Sequence, residues 1–315
     1  MYMIDHQYVF KRVSEHHISD LQIISLSAFG FDPGKSYYIN KNSTAAFGIP
    51  YLGFIAYSSE GEPAAFYGIY SQPLIKDGRL IHAAQSGDTM THKAHIGKGL
   101  FVHLANLTYQ LAKELGVEFV FGFPNENSFP GFQRKLEWKF KEQLVEYRFR
   151  VFTFPLSKLV KKMPFLNHIY SVYQRIVLKI LSKKGNCFSS SALSSKIGGV
   201  NRTQEFYKYK FKFSNFIILL KQINVWLKVD GFLFIGDIQF SNEVDYDLVL
   251  KKIKWLAFFL GTDTIIFQTS PDTNLDFAFS KKGKGKKAYF VGFRDLNTTV
   301  NPCDYKFVFG DVDTF

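Results

Sequence analysis

The stretch HIGKGLFVHLANL, residues 95–107, sets Gly97 and Gly99 directly ahead of an apolar pattern of helical period. A helix N-terminus leaves backbone N–H groups without partners and carries partial positive charge, so glycines there let the chain wrap closely around a phosphate. Lys93, His95 and Lys98 add positive potential to the same loop. The other reading of these residues is a plain turn into a helix, which is the commoner meaning of a bare GxG. Among the titratable side chains on the central strands before the loop are Glu62, His82, Asp88 and His92.

The elements around the loop decide what it can do. Leu100, Leu104, Leu107, Leu111 and Ala112 recur every three to four residues and predict an amphipathic helix after it. Before it, GRLIHAAQSGDTMTH reads as a strand, preceded by a hairpin over YLGFIAYSSEGEPAAFYGIYSQPLI that turns at SSEGEP. Further upstream, YVFKRV reads as a strand, and HISDLQIISLSAF as a helix ended by FDPGKS. Downstream come a buried strand in VEFVFGFPNENS stopped by Pro124, a short helix in PGFQRKLEWKF and a long strand in EQLVEYRFRVFTF. The succession predicts a mixed α/β domain over residues 1–154.

Residues 155–202 read as a connector. Phe165, Ile169, Val172, Ile176 and Ile180 form one helical stripe, with Arg175 and Lys179 elsewhere on the helix, and KKGNCFSSSALSSKIGG is a flexible Ser- and Gly-rich run. Such a basic amphipathic helix can lie on an anionic membrane, which makes residues 164–181 a candidate for peripheral membrane contact. A packing helix between domains is the favoured reading, because such stripes are most often buried against protein. From residue 203 to 315 strands resume, and strand, strand, helix, strand loosely echoes the first half, which suggests a duplicated architecture. KKGKGKK, residues 281–287, superficially repeats the glycine loop but leads into a strand-like AYFVGF, so an exposed hairpin tip is expected there.

Residues 88–140 resemble the GNAT acyltransferase family along their whole length. The loop reads Ile96, Gly97, Lys98, Gly99, Leu100, Phe101 where the family has Arg/Gln-Gly-x-Gly-x-Gly/Ala, and Lys135, Leu136, Glu137, Trp138 stand at its Lys-Leu-Gly-aromatic turn. With GFPNENS at residues 122–128, the chain looks especially like the branch found among bacterial polysaccharide-biosynthesis proteins. The resemblance implies two acyl-CoA N-acyltransferase (GNAT-like) domains, each a mixed, mostly antiparallel sheet flanked by helices, the second without its own CoA loop. It implies acetyl-CoA as acyl donor. The backbone of Gly97, Lys98, Gly99 and Leu100 would hold the pyrophosphate. Main-chain groups of Met90 and His92 would meet the pantetheine arm and the thioester carbonyl, with Asn125, Asn127 and Ser128 beside the cofactor. Ile96 replaces the usual Arg or Gln, Phe101 the usual Gly or Ala, and Gln133 beside Phe132 stands where the family often has a general-acid Tyr.

The implied reaction is direct attack of an amine on the thioester, acetylating a small molecule such as an amino sugar. A protonated amine must first lose a proton, so His92 or Asp88, which flank the strand end, are the candidate catalytic bases. The bland readings are that Asp88 caps a turn and that His92 serves through its backbone. Two other functions stay open. One is a non-catalytic GNAT-like protein that binds a ligand or partner; the other is aminoacyl transfer of the peptidoglycan-bridging type, which uses charged tRNA.

Composition is compatible with each. The 315 residues exceed the usual size of one core, and 46% are apolar, enough for two domains. The 35 Phe and 17 Tyr read as core filler. A net charge of +12 and a pI near 9.4 attract polyanions, whether nucleic acid, anionic membrane or a cofactor. No nucleic-acid-reading module is recognisable, and nucleic acid is not an expected partner. Cys187 and Cys303 stand alone, so neither a disulfide framework nor a metal site is expected. The start MYMIDHQYVFKRV carries Asp5 and no long apolar run, which reads as neither leader nor anchor and favours a cytoplasmic protein. A homodimer would be compatible with these features.

Overall fold

The computed structural model describes residues 7–239, 245–296 and 301–315. Asp5 and the other first six residues, on which the expectation of a leaderless start partly rests, lie outside the described residues. The chain forms two compact units, one of Met1–Lys141 with Phe290–Pro302 and one of Glu142–Tyr289 with Cys303–Phe315. Residues 155–202 are thus part of the second unit.

The first unit runs β1 (Tyr8–Arg12), α1 (Ile18–Phe29), α2 (Lys35–Asn42), β2 (Leu52–Ser58), β3 (Pro63–Ser71), β4 (Leu74–Lys76), β5 (Arg79–Ile81), β6 (Ala83–Thr91), α3 (Leu100–Glu114), β7 (Phe119–Gly122) and α4 (Phe129–Lys135). β1, β2, β3 and β6 are antiparallel neighbours, and β7 lies parallel to β6. The strand Lys286–Asp295 returns from far along the chain to pair antiparallel with β7, Gly292 opposite Gly122. The single strand expected over residues 78–92 is broken at His82, whose N–H goes to the Glu118 carboxylate (3.1 Å).

Both faces of this sheet are covered. On one, Ile18, Leu21 and Ile24 of α1 and Tyr38 of α2 pack on Ile55, Phe66 and Met90. On the other, Leu100, Leu104 and Ala105 of α3 and Phe132 of α4 pack on Tyr67, Ile69, Ala84 and Val120. Each such buried side chain stabilises the unit by about 1.5–3 kcal/mol before ordering costs.

The sheet splits at one place. β6 and β7 pair only from Ala83 with Phe119 to Gln85 with Phe121. Beyond that point Tyr67 faces Thr89 while Ile69 faces Ser86, so Gly87 and Asp88 together oppose Gly68 in a bulge. A bulge bends its strand, and β7 stays with its other neighbour, as Phe290 N–H donates to the Pro124 carbonyl (3.3 Å).

The second unit contains β8 (Lys139–Arg150) from Glu142 on, α5 (Leu156–Lys162), α6 (Asn167–Leu181), β9 (Lys183–Lys184), β10 (Gly199–Val200), α7 (Gln204–Lys210), β11 (Asn215–Leu220), β12 (Ile223–Asp230), β13 (Phe232–Ile238), α8 (Tyr246–Phe259), β14 (Thr264–Thr269), α9 (Asn274–Ser280) and the start of β15 (Lys286–Asp295), which from Phe290 on belongs to the first unit. The order β11, β12, β13, α8, β14, α9, β15 repeats β2, β3, β6, α3, β7, α4, β8. Each copy's sheet takes the strand that follows the other copy's last helix, since β8 pairs with β14 and β15 with β7. KKGKGKK links α9 to β15 and precedes no helix.

The stripe on α6 is not buried, contrary to the packing-helix expectation. Phe165, Ile169, Ile176 and Ile180 are 72%, 67%, 52% and 74% exposed, because α6 docks through the adjacent face that carries Tyr170 and Val177. Among the described residues no helix is long and apolar enough to cross a membrane.

Candidate active site

α3 joins the parallel neighbours β6 and β7, so its N-terminus lies at their carboxyl ends, beside the split. Gly97 and Gly99 take φ values of 81° and 78°, a region that costs other residues about 1–2 kcal/mol each. With Gly99 as N-cap, the first helical hydrogen bond is His103 N–H to the Gly99 carbonyl (3.2 Å). The N–H groups of residues 97–102 meet no acceptor among the described residues. A Cβ at Gly97 would touch nothing within 4 Å, and Lys98 is exposed beside it, while Leu100 is buried and anchors the turn. Unpaired donors around two left-handed glycines suit an anionic diphosphate.

The β6 edge shifts by one residue from the sequence expectation. His92 N–H already donates to the Ala64 carbonyl (2.8 Å), and antiparallel pairing alternates, so Met90 likewise turns its main chain toward Phe66 of β3. Thr89 and Thr91 are therefore the residues whose main-chain groups face the split. Thr89 Oγ1 is also buried without a hydrogen-bond partner. The main-chain groups of Met90 and His92 are engaged on the β3 side.

Asn125, Asn127 and Ser128 come together just after β7. Asn125 Oδ1 accepts from the N–H groups of Asn127 and Ser128 (both 3.0 Å) and from Ser128 Oγ (3.2 Å), forming an Asx turn into α4. The amide NH2 groups of Asn125 and Asn127 are side-chain donors of this group.

The floor between α3 and α4 is aromatic. The Phe101 ring stands 5.3 Å from Phe132 and 6.0 Å from Tyr67, centroid to centroid, and a Cβ on Gly131 would approach it to 3.3 Å. Beneath it a hydrogen-bonded chain runs from Trp138 Nε1 to Tyr109 OH (3.0 Å), Tyr67 OH (2.7 Å) and Ser86 Oγ (2.9 Å). Burial pushes both phenols upward, so they stay protonated. Gln133 is exposed.

Asp88 sits at the bulge on the opposite face, which α1 and α2 cover. Lys41 Nζ donates to it at 2.8 Å and Tyr70 OH at 2.7 Å, with Tyr37 OH at 3.4 Å. Lys41 is only 1% exposed. Burial, then the neighbouring Asp88 charge, holds the Tyr70 phenol well above its ordinary range, so it donates rather than ionises. Lys41, Tyr37 and Tyr70 were not singled out from the sequence; a lysine in the short aromatic KSYYINKN was the only hint. The carboxylate is thus held by three donors. His92 Nδ1 accepts from Ala94 N–H (3.3 Å), so Nδ1 carries the lone pair of the neutral ring, and the ring lies 5.7 Å from His95. His82 stands at the far end of β6, and Glu62 in the exposed β2–β3 turn.

In the second unit residues 240–244, which precede α8, lie outside the described residues. Asp245 caps α8 and accepts from Asp247 N–H (2.9 Å) and Leu248 N–H (3.1 Å), placing negative charge where the first unit has glycines and lysine. Its own split, between β13 and β14, is filled by residues 305–315. Val308 bridges Thr269, Ser270 N–H donates to the Phe307 carbonyl (2.7 Å), and the Phe315 ring occupies the space a Cβ on Gly236 would need. Behind them the buried Arg202 pairs with Asp237 (2.5 Å) and Asp311 (2.8 Å). Burial opposes the Arg202 charge, yet the two carboxylates hold it on the guanidinium. Among the described residues no group of His, Cys, Asp and Glu could hold a metal.

No protein-family model and no curated protein matches this chain. Solved structures do. A GCN5-related N-acetyltransferase from Kribbella flavida superposes with a TM-score of 0.58 over 94% of this chain and 73% of that one, at 12% identity. One from Anabaena variabilis gives 0.57 over 92% and 73%, at 13% identity. At such identity the likeness is one of fold: the chain has the α/β architecture of GCN5-related N-acetyltransferases, built twice.

Proposed function

We propose that the first unit is an acyl-CoA-dependent N-acyltransferase, with acetyl-CoA as donor and the amino group of a small molecule as acceptor. The observation that carries this reading is the sheet split at β6 and β7, with the unpaired N–H groups of residues 97–102 at the same end. The split is where a group bound on the α3 face can meet one bound on the face of α1 and α2. The pyrophosphate would rest on the backbone of residues 97–100 with Lys98 beside it, and the Asn125 amide NH2 would add a donor. Thr89 and Thr91 would hold the extended arm and direct an N–H at the thioester carbonyl, stabilising the oxyanion as it forms.

His92 would take the amine's proton at Nδ1, giving up the Ala94 N–H that this nitrogen accepts, and Asp88 positions the acceptor face through Lys41 and Tyr70. The departing thiolate leaves without an acid, its conjugate thiol having a pKa of about 8.5. An amino sugar of polysaccharide biosynthesis is the acceptor that the sequence resemblance suggests, in a cytoplasmic enzyme. Phe101 favours a second reading, a non-catalytic protein of this fold that binds another ligand or a partner, because its ring narrows the first turn of α3. Titration calorimetry with acetyl-CoA and a panel of amines tests both. Binding abolished by Gly97→Val with Gly99→Val supports the site, and turnover separates enzyme from binder. No heat with acetyl-CoA would end the enzymatic reading and leave the non-catalytic one.

A further inference from the structure

We infer that the second unit docks on an anionic lipid bilayer through α6 and the aromatic end of α8. This rests on a surface unrelated to the candidate active site. Phe165, Ile169, Val172, Ile176 and Ile180 recur at three- and four-residue spacing and face solvent. Tyr173 OH on the same helix donates to the Phe259 carbonyl, and Thr153 Oγ1 donates to the Phe258 carbonyl (3.0 Å), which gathers a second apolar group beside the stripe. There Phe152 is fully exposed and Trp255 is 55% exposed, with Trp255 stacked on Phe259. A monomeric soluble protein rarely shows so continuous an apolar surface without something to cover it.

Charge selects the occupant. Between Glu146 and Glu205 the chain has no Asp or Glu, whereas Lys162, Arg175, Lys179, Lys183 and Lys184 lie on or beside α6. His168, Arg175 and Lys179 fall on the flank of the exposed stripe, on the side away from Tyr170 and Val177. An apolar stripe with aromatic residues and a one-signed basic flank matches an interface helix on anionic lipid, with rings and isoleucines at the acyl boundary and lysines at the headgroups. A protein partner or a second copy of this acid-poor surface would have to bring the negative charge from elsewhere.

The test is co-sedimentation of the full chain with vesicles of phosphatidylcholine alone and of equal parts phosphatidylcholine and phosphatidylglycerol. Each lysine near an anionic surface strengthens binding about five-fold, so Lys179→Glu, Lys183→Glu and Lys184→Glu together should weaken it by about 100-fold or more. Ile169→Glu, Ile176→Glu and Ile180→Glu should also cost at least about 100-fold, with an unchanged melting temperature because the three side chains are exposed. Binding to the anionic vesicles that fades with salt and is lost in both triple variants is the expected result. Wild-type chain left in the supernatant, isoleucine variants that bind like wild type, or a solution dimer that the isoleucine changes split into monomers would each overturn the inference.

Discussion

Asp88→Asn separates two roles for the one carboxylate at the β6 bulge. Its partner Lys41 has a side chain 2% exposed, while that of Asp88 is 17% exposed. Removing one member of a buried ion pair leaves the other charged without compensation, at about 3–5 kcal/mol. Asn keeps an oxygen for Tyr70 and the site touches solvent, so a loss of about 2–3 kcal/mol is expected. That is a large share of the roughly 5–15 kcal/mol that holds a domain folded. Urea unfolding of wild type, Asp88→Asn, Lys41→Met and the double variant closes a mutant cycle. The two single losses should not add, and the coupling should be about 2 kcal/mol. Activity should fall only as far as the acceptor face loosens, and the Lys41→Met, Asp88→Asn double variant should recover part of it. A stable Asp88→Asn protein with no activity would refute this reasoning and make Asp88 the base.

Other expectations are more local. Tyr109→Phe leaves Trp138 Nε1 buried without an acceptor and should cost about 1–3 kcal/mol in chemical unfolding. Phe315→Ala empties the split of the second unit and should cost about 3–5 kcal/mol, and Gly236→Ala, whose Cβ would lie 2.4 Å from the same ring, about 1–3 kcal/mol, both read by calorimetry. A hydrogen bond from Lys158 holds the Asp263 carboxyl below its usual range. Its stabilisation is therefore complete above the unfolded pKa of about 3.9 and fades as pH falls through the lower folded value; being half in solvent, it should amount to under about 1 kcal/mol in Asp263→Asn at pH 7 and to nothing at strongly acidic pH.

What was legible in the sequence was local. The loop around Gly97 and Gly99 and the helix from Leu100 could be read because glycine spacing and a 3.6-residue period are properties of neighbouring residues. The bulge at Gly87 and Asp88 depends on which residue of β3 stands opposite, a matter of register between strands. The same holds for the turn of Met90 and His92 toward β3, which leaves the main-chain groups of Thr89 and Thr91 facing the split. Lys41 was missed because α2 has no apolar period and a buried lysine runs against its usual exposure. The pairing of β8 with β14 and of β15 with β7 joins residues far apart in the chain, and no local pattern announces it. On α6 the period correctly showed an amphipathic helix, but period alone does not say whether protein, water or lipid meets the stripe.

The central claim is that a diphosphate-bearing acyl donor sits on the α3 N-terminus of the first unit and not on α8 of the second. Amide hydrogen exchange with and without acetyl-CoA reads both places in one experiment. The account predicts new protection over residues 97–102 and along Thr89 and Thr91, with none at residues 245–248. Unchanged exchange over residues 97–102, or protection confined to the second unit, would contradict it.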